Sequence, residues 1–317
     1  MSVVFAAHNR AERTAALLDA LERQTIGSGA FEVVAVDDGS GDATQELLEA
    51  AAAAGRIKLT VIRNERARGP ATARNAGWRA ASAALVAFTD DDCLPDAAWL
   101  EAGLAAWDGS ADCIIQGRTT PNPREADRDG PFTRSLRVNS LGPYFQTANI
   151  FYPRALLERI QGFDEGAFSV PTAEDADLAW RALASGARAV FEPDALVLHA
   201  VHELGPLGKL RVAARWHELP LAYRRHEGLR RTLVYRVFWK KSHYHLVRAA
   251  IGLALPSGRP LLRPLRFWCL QPLVPAYLQR AQVEGGKLWA APYFVLHDAV
   301  ELAAVLRGAV RHRVPMI

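Results

Sequence analysis

Three groups of carboxylates in this 317-residue chain have the types and spacing to do chemistry. In VVAVDDGSGD an apolar run leads straight into Asp37, Asp38, Gly39 and Ser40. Ligands of open α/β sheets lie beyond the carboxyl ends of the strands, so acidic side chains there are placed to meet one. A carboxylate at that point can accept the ring N–H of uracil, thymine or guanine, and Gly39 lets the backbone turn closely. Asp-Gly-Ser is equally ordinary turn chemistry. In LVAFTDDDCLPD, Asp90, Asp91 and Asp92 follow a second apolar run. Three adjacent like charges repel one another unless a cation or hydrogen-bond donors neutralise them. A hard divalent ion, Mg2+ or Mn2+, takes oxygen ligands and commonly uses one or two carboxylates plus substrate phosphates. Such an ion offsets charge on a leaving diphosphate.

The third group is TAEDADLAW, with Glu174, Asp175 and Asp177 at the start of a short helix. Thr172 and Asp175 have capping-box spacing, and acids favour a helix N-terminus for dipole reasons. The alternative is a general base, which must reach an acceptor proton within hydrogen-bond distance. Spacing does not separate the two. His199 ends LVLHA and offers a nitrogen ligand to the same metal, although a lone histidine is more often structural. Arg74, beside Asn75 and Gly77 in GPATARNAGWRAA, is either a phosphate or base contact or a plain surface arginine.

The elements that must position these residues alternate in the manner of an α/β domain with a largely parallel sheet. Strands are predicted at about 2–7, 31–37, 57–63, 84–89 and 112–117, and helices near 11–24, 42–54 and 70–82. Asp42 is expected as the N-cap of the second helix, and Pro95 as the first turn of a fourth. Residues 118–147 resemble a loop region, PRALLERI and AEDADLAWRALASG two short helices, and RAVFEPDALVLHA extended chain. The α/β domain is expected to span 1–204. Beyond it, 205–317 is expected to be a helical, basic extension. There Val212, Trp216, Leu219 and Tyr223 form one stripe, while Arg211, Arg215, Arg224 and Arg225 lie mostly away from it; Pro220 should kink the helix.

Charge divides at the same place. Residues 205–317 carry 19 Lys and Arg against 5 Asp and Glu, leaving 19 against 29 for the rest, or +14 against −10. The acidic half suits catalysis, and the basic half suits an anionic membrane surface, a phosphorylated acceptor, nucleic acid or simple solvation. Basic and aromatic residues mix in 229–255, as in helices lying in a membrane interface; packing on the catalytic domain or on a second subunit of a homo-oligomer is the competing reading. Nucleic acid is disfavoured by the lack of an RNA-binding sheet motif or zinc finger. Cys93, Cys113 and Cys269 are far apart and odd in number, against a disulfide framework or thiolate zinc site. The start lacks a secretory pattern, and no run of about 18 uninterrupted apolar residues occurs. A cytoplasmic protein is expected, peripheral on the inner face of the cell membrane if the basic half binds lipid.

In this order, VVFAAHNR, VVAVDDGSGD, GPATARNAGWRAA, AFTDDDCLPD, TANIFYPRALLERIQGFDE and AEDADLAWRALASGARAVFEPDALVLH resemble the family-2 glycosyltransferases over roughly residues 2–204. The resemblance implies an inverting enzyme on the GT-A nucleotide-sugar-binding fold. It implies transfer from a nucleoside-diphosphate sugar, a UDP-sugar above others, to a hydroxyl on a glycan or lipid-linked carrier. Asp38 matches the base-recognising aspartate, and Asp90 and Asp92 the ends of the DXD element. Asp92 would bind the metal and Asp90 lie nearer the ribose and sugar. Asp175, beside Glu174, matches the catalytic base, and His199 a histidine that completes the metal site in some members. Asn149 and the Gly162, Phe163, Asp164 turn match a segment lining the donor-sugar pocket. The first strand departs from Pro-x-Tyr-Asn, reading Ala6, Ala7, His8, Asn9, where the nucleotide contact is mainly backbone. Asp91 and Cys93 depart from Asp-Ala-Asp-Asp, leaving open which aspartates hold the ion. The rival readings are a nucleotidyltransferase on a related fold, which would want a Gly-rich basic phosphate loop after the first strand, and a non-catalytic nucleotide-sugar-binding protein.

Overall fold

A computed structural model describes residues 1–168, 170–284 and 287–317, in two compact units. The first comprises Met1–Ala126 and Ser135–Val201, the second Asp127–Arg134 and His202–Ile317.

The first unit is built on eight strands: β1 (Ser2–Ala7), β2 (Glu32–Asp38), β3 (Lys58–Asn64), β4 (Leu85–Thr89), β5 (Cys93–Pro95), β6 (Cys113–Pro121), β8 (Asn149–Pro153) and β9 (Arg188–His199). β7 (Thr133–Arg134) belongs to the second unit, where it pairs with β10 (His202–Glu203). The large sheet has the order β3-β2-β1-β4-β8-β6-β9-β5. β1 to β4 are parallel where they pair, β8 runs antiparallel to β4 and β6, and β5 closes the edge antiparallel to β9. Six helices flank the sheet: α1 (Ala11–Glu22), α2 (Thr44–Ala54), α3 (Pro70–Ala80), α4 (Trp99–Ala105), α5 (Arg154–Ile160) and α6 (Glu174–Ala184).

The strand period of two explains the layers. Val3, Phe5, Val33 and Ala35 point to one face and pack with Leu17 and Leu21 of α1, Leu48 of α2 and Trp99 and Leu100 of α4. Val4, Val34, Val86 and Phe88 point to the other and meet Trp78 of α3, Leu156 and Leu157 of α5 and Leu178 of α6. A sheet covered on both faces reads as continuous apolar runs. The parallel strands all deliver their carboxyl ends to one edge, which is where the acidic motifs sit.

Two expectations are corrected. No helix starts at Pro95: Cys93–Pro95 is an edge strand, and α4 begins at Trp99. Proline lacks the ladder donor and is tolerated on an edge. Asp42 is not the N-cap of α2, since Ala43 holds that position. Its carboxylate instead accepts the Thr44 N–H (3.0 Å) and hydroxyl and, across the loop, the N–H of Ala11 that opens α1 (3.2 Å).

The second unit is helical: α7 (Gly205–Ala214), α8 (Leu219–Arg225), α9 (Glu227–Arg230), α10 (Lys241–Ala254), α11 (Arg263–Leu270), α12 (Leu273–Val283) and α13 (Ala291–His312). A 3-10 turn at Arg215–Glu218 precedes Pro220, so the helix is interrupted where proline removes a donor. Leu219 and Tyr223 are buried, Val212 and Trp216 half-buried, and the four arginines of that segment exposed. Contrary to the expectation of no span, Leu288–His312 is long and apolar enough to cross a membrane by length and composition. Its Asp298 and Glu301 are fully buried and ion-paired to Arg280 and Lys240 within the unit.

Candidate active site

The β1–α1 and β2–α2 loops are tied together. Asn9, at φ 54°, donates its N–H to Ser40 Oγ (3.0 Å) and accepts the Gly41 N–H on Oδ1 (2.7 Å). His8 Nδ1 donates to the Asp38 carbonyl (2.8 Å). Gly39 has φ +70°, and a Cβ there would lie 2.5 Å from the backbone of Arg66 and Ala67, so only glycine lets the β3–α3 loop close over β2. That closure brings the Arg68 and Gly69 N–H groups onto the Asp38 carboxylate (2.8 to 3.1 Å), together with the Asn64 amide (2.7 Å). Asp38 is thereby held at the β2 end in one orientation. Asp37 serves the fold, buried and paired with Arg63.

Beyond β4 the three aspartates diverge. Asp90 Oδ1 accepts from Arg74 Nη2 at 2.7 Å. Asp91 and Asp92 share a cation that the spacing did not reveal: Arg10 Nη1 lies 2.6 Å from Asp91 Oδ1 and 2.7 Å from Asp92 Oδ2. Burial pushes Asp91 up to about 6; Arg10 opposes the shift and the charge of Asp92 adds to it. The signal for Arg10 was its position, three residues past the carboxyl end of β1, where a strand meets ligand.

Asp92 Oδ1 is 3.7 Å from His199 Nε2. β5 and β9 make this approach, because Cys93 is paired in register with His199. The His199 Nδ1–H donates to the Ala200 carbonyl (2.8 Å), the tautomer that leaves the Nε2 lone pair toward Asp92. Asp92, Cys93 and His199 place ligand atoms within 4.8 Å of one another. A carboxylate oxygen and an oriented imidazole fit Mn2+ or Mg2+. Burial and the neighbouring carboxylates raise the Cys93 thiol well above its ordinary range, so it offers no thiolate.

The capping reading of Asp175 does not hold. The N-cap of α6 is Ala173, the Thr172 hydroxyl donates to the Val170 carbonyl, and Glu174 takes the Thr172 N–H (2.7 Å). Asp175 turns instead to the β8 approach, accepting the Thr147 N–H (3.1 Å) and hydroxyl (3.0 Å). Arg74 Nη1 stands 3.4 Å from Asp175 and 3.6 Å from Glu174. One buried guanidinium therefore joins α3, the β4 end and α6. Burial and the Glu174 charge push Asp175 up to about 7 against the pull of Arg74 and Thr147. Thr147 was missed because nothing local marks it.

Asn149 is corrected. It is fully buried in the sheet, its Oδ1 takes the Trp99 indole N–H, and its Nδ2 bonds the Arg118 and Ala195 carbonyls, each at 2.8 Å. These three bonds knit β6, β9 and α4, and leave the side chain no role with a donor sugar. The Gly162–Phe163 turn is fastened to α3 by Asn75, whose Oδ1 accepts the Phe163 N–H (2.9 Å) and whose Nδ2 donates to its carbonyl (2.8 Å).

A doubly covered α/β sheet with Asp38, Asp90, Asp92 and Asp175 at its strand ends is a nucleotide-binding domain equipped for group transfer. The description Glycosyl transferase family 2 matches residues 2–159. Glycosyltransferase AglE of Haloferax volcanii is 30% identical over 217 residues, covering 66% of this chain and 69% of that protein. The chain belongs to glycosyl transferase family 2 and is a glycosyltransferase. Among solved structures it is similar to the mannosyltransferase PcManGT from Pyrobaculum calidifontis in complex with GDP-Man and Mn2+, with TM-score 0.58, 21% identity, and 98% and 86% of the two chains covered. It is also similar to S. aureus TarS 1-349 in complex with UDP, with TM-score 0.53, 19% identity, and 98% and 91% covered. The fold is GT-A.

Proposed function

We propose that the enzyme transfers a sugar with inversion from a nucleoside-diphosphate sugar, a UDP-sugar first, to a hydroxyl of a glycan or lipid-linked carrier. The observation that carries this reading is Asp175, turned off its own helix, fixed by Thr147 and Arg74, and raised to about 7. A general base is most effective when its pKa lies near the working pH. Its oxygen takes the acceptor proton as the acceptor oxygen attacks the anomeric carbon and the bond to the diphosphate breaks. One displacement inverts the configuration. Asp38 receives the ring N–H of the base, Asn9 lies at the nucleotide contact, and Asp90, positioned by Arg74, lies toward the ribose and sugar. Asp92 with His199 would hold Mn2+ or Mg2+, which when bound supplies charge stabilisation of the diphosphate. The GDP-Man with Mn2+ and the UDP in similar structures support a nucleotide-sugar donor and a divalent cation.

A nucleotidyltransferase would want a free basic phosphate loop after β1. Here that loop is stitched to β2–α2 and its Arg10 is committed to Asp91 and Asp92. The test is release of nucleotide from a panel of UDP- and GDP-sugars with Mn2+, with and without EDTA, in wild type and Asp92→Ala. Metal-dependent release of the nucleoside diphosphate from one donor, lost at least about a hundredfold in the variant, is expected. Release of pyrophosphate would favour the nucleotidyltransferase. Tight nucleotide binding without turnover in the presence of acceptor candidates would favour a non-catalytic binder.

A further inference from the structure

We propose that the α10–α11 hairpin of the second unit is a docking surface for an anionic lipid bilayer. The helix α11 is turned inside out for a helix covered only by water. Cys269 points inward and is 2% exposed, whereas Phe267 and Trp268 on the outer arc are 70% and 54% exposed. Leu261, in the turn before it, is 94% exposed. A water-facing surface helix buries its apolar stripe and shows its polar one. The close seat of α11 on α10 explains why the arrangement persists. At Gly252 of α10 a Cβ would come within 2.7 Å of Cys269 Cβ, so the bare backbone admits the small cysteine side. The large rings are left outward on the far side.

Charge selects the occupant. Residues 228–283 contain ten Lys and Arg and no Asp or Glu. Arg259 and Arg263 flank the apolar residues and are exposed. The Arg248 guanidinium lies 3.6 Å from the centroid of the Trp268 ring and so helps to fix it. An apolar patch rimmed by charges marks an interaction surface. Lys and Arg mixed with Trp, Phe and Leu suit a helix lying in the headgroup region, its rings among the acyl chains and its arginines on anionic headgroups. A two-fold dimer through this face would set the same arginines against their copies, which disfavours a second copy of the chain.

The test is flotation of the full chain with vesicles of phosphatidylcholine alone or mixed with phosphatidylglycerol, at low and high salt. The wild type should float with the anionic vesicles, little with the neutral ones, and less as salt rises. Arg259→Gln and Arg263→Gln should each lower the partition coefficient about fivefold. The double variant Phe267→Ser, Trp268→Ser should lower it more than about tenfold. Its unfolding midpoint should remain within a few degrees of wild type, which distinguishes lost docking from lost folding. Wild type that stays unbound, or a well-folded double variant that floats as before, would overturn the proposal. So would a dimer that the double variant converts to monomer without any vesicle binding, or retention on single-stranded DNA with none on vesicles. None of these readouts depends on turnover.

Discussion

The two units each bury a cluster of carboxylates, and the clusters are poised in opposite directions. At the strand ends of the first unit five carboxylates, Asp90, Asp91, Asp92, Glu174 and Asp175, face two guanidiniums, Arg10 and Arg74. Burial wins there, and Asp91 and Asp175 rise to about 6 and about 7. In the second unit burial also works against the charge of Asp298 and Glu301. It is outweighed at Asp298 by His297 and Arg280, and at Glu301 by His243 and Lys240, so both carboxyls are held below their ordinary range. Tyr277 adds a hydrogen bond to Asp298 (2.9 Å). Depth does not distinguish the clusters; the supply of cations per carboxylate does. A surplus of buried carboxylate marks a place that functions with a proton or with positive charge brought from outside, whereas a matched set marks a structural joint.

Substitution should expose the difference. The largest effect is expected from Asp175→Asn, which should lower kcat about 10^2- to 10^4-fold while donor affinity by calorimetry changes little. Wild-type turnover should rise with pH to a plateau above about pH 7, following ionisation of Asp175. In the matched cluster Asp298→Asn should leave the Arg280 charge uncompensated and cost about 3–5 kcal/mol of stability in urea unfolding, with the turnover of the folded fraction intact. If Asp298→Asn removes activity without stability, the contrast between the clusters fails. Gly39→Ala, forced to φ +70° against the β3–α3 backbone, should destabilise by about 1–3 kcal/mol and weaken nucleotide binding by displacing Arg68 and Gly69 from Asp38.

The smallest effect concerns the sign of the pH dependence. A carboxyl raised from 3.8 to about 7 holds a proton in the folded but not the unfolded chain between those values. Its contribution is complete below about pH 4 and is lost as pH rises to about 7. Glu301, lowered from 4.5, contributes above that value and loses it as pH falls. Asp175→Asn should therefore be more stable than wild type at pH 8, by about 1 kcal/mol, and equal to it near pH 4. Glu301→Gln should be less stable than wild type at pH 8. Unfolding at both pH values decides, and a common sign for the two variants would refute the comparison.

The sheet was legible because its signals are local. Strands predicted at 2–7, 31–37, 57–63 and 84–89 lie within a residue of β1 to β4, since each is a continuous apolar run closed by a polar turn. β5 escaped because three residues carry no period and Pro95 suggested a helix start. The acidic strand ends were equally visible, but the partners that define them were not. Arg10 reaches Asp91 from 81 residues away, and Thr147 reaches Asp175 across 28; neither distance has a sequence signature. Asn149 was misread for the complementary reason. Its neighbours in sequence suggest a pocket, while its hydrogen bonds run to Trp99, Arg118 and Ala195 on three other elements.

Asp42 has a further consequence. Its carboxylate holds the first N–H of α1 and the opening of α2 at once, and Asn9, Ser40 and Gly41 add two bonds between the same loops. Loops that border a ligand often order only when it arrives, and the lost freedom then weakens the association. Here much of that ordering happens as the chain folds, long before any nucleotide is met. Recognition at this edge should resemble a key entering a cut lock, with a fast, nearly temperature-insensitive on-rate and little change in amide exchange of residues 8–11 and 40–44.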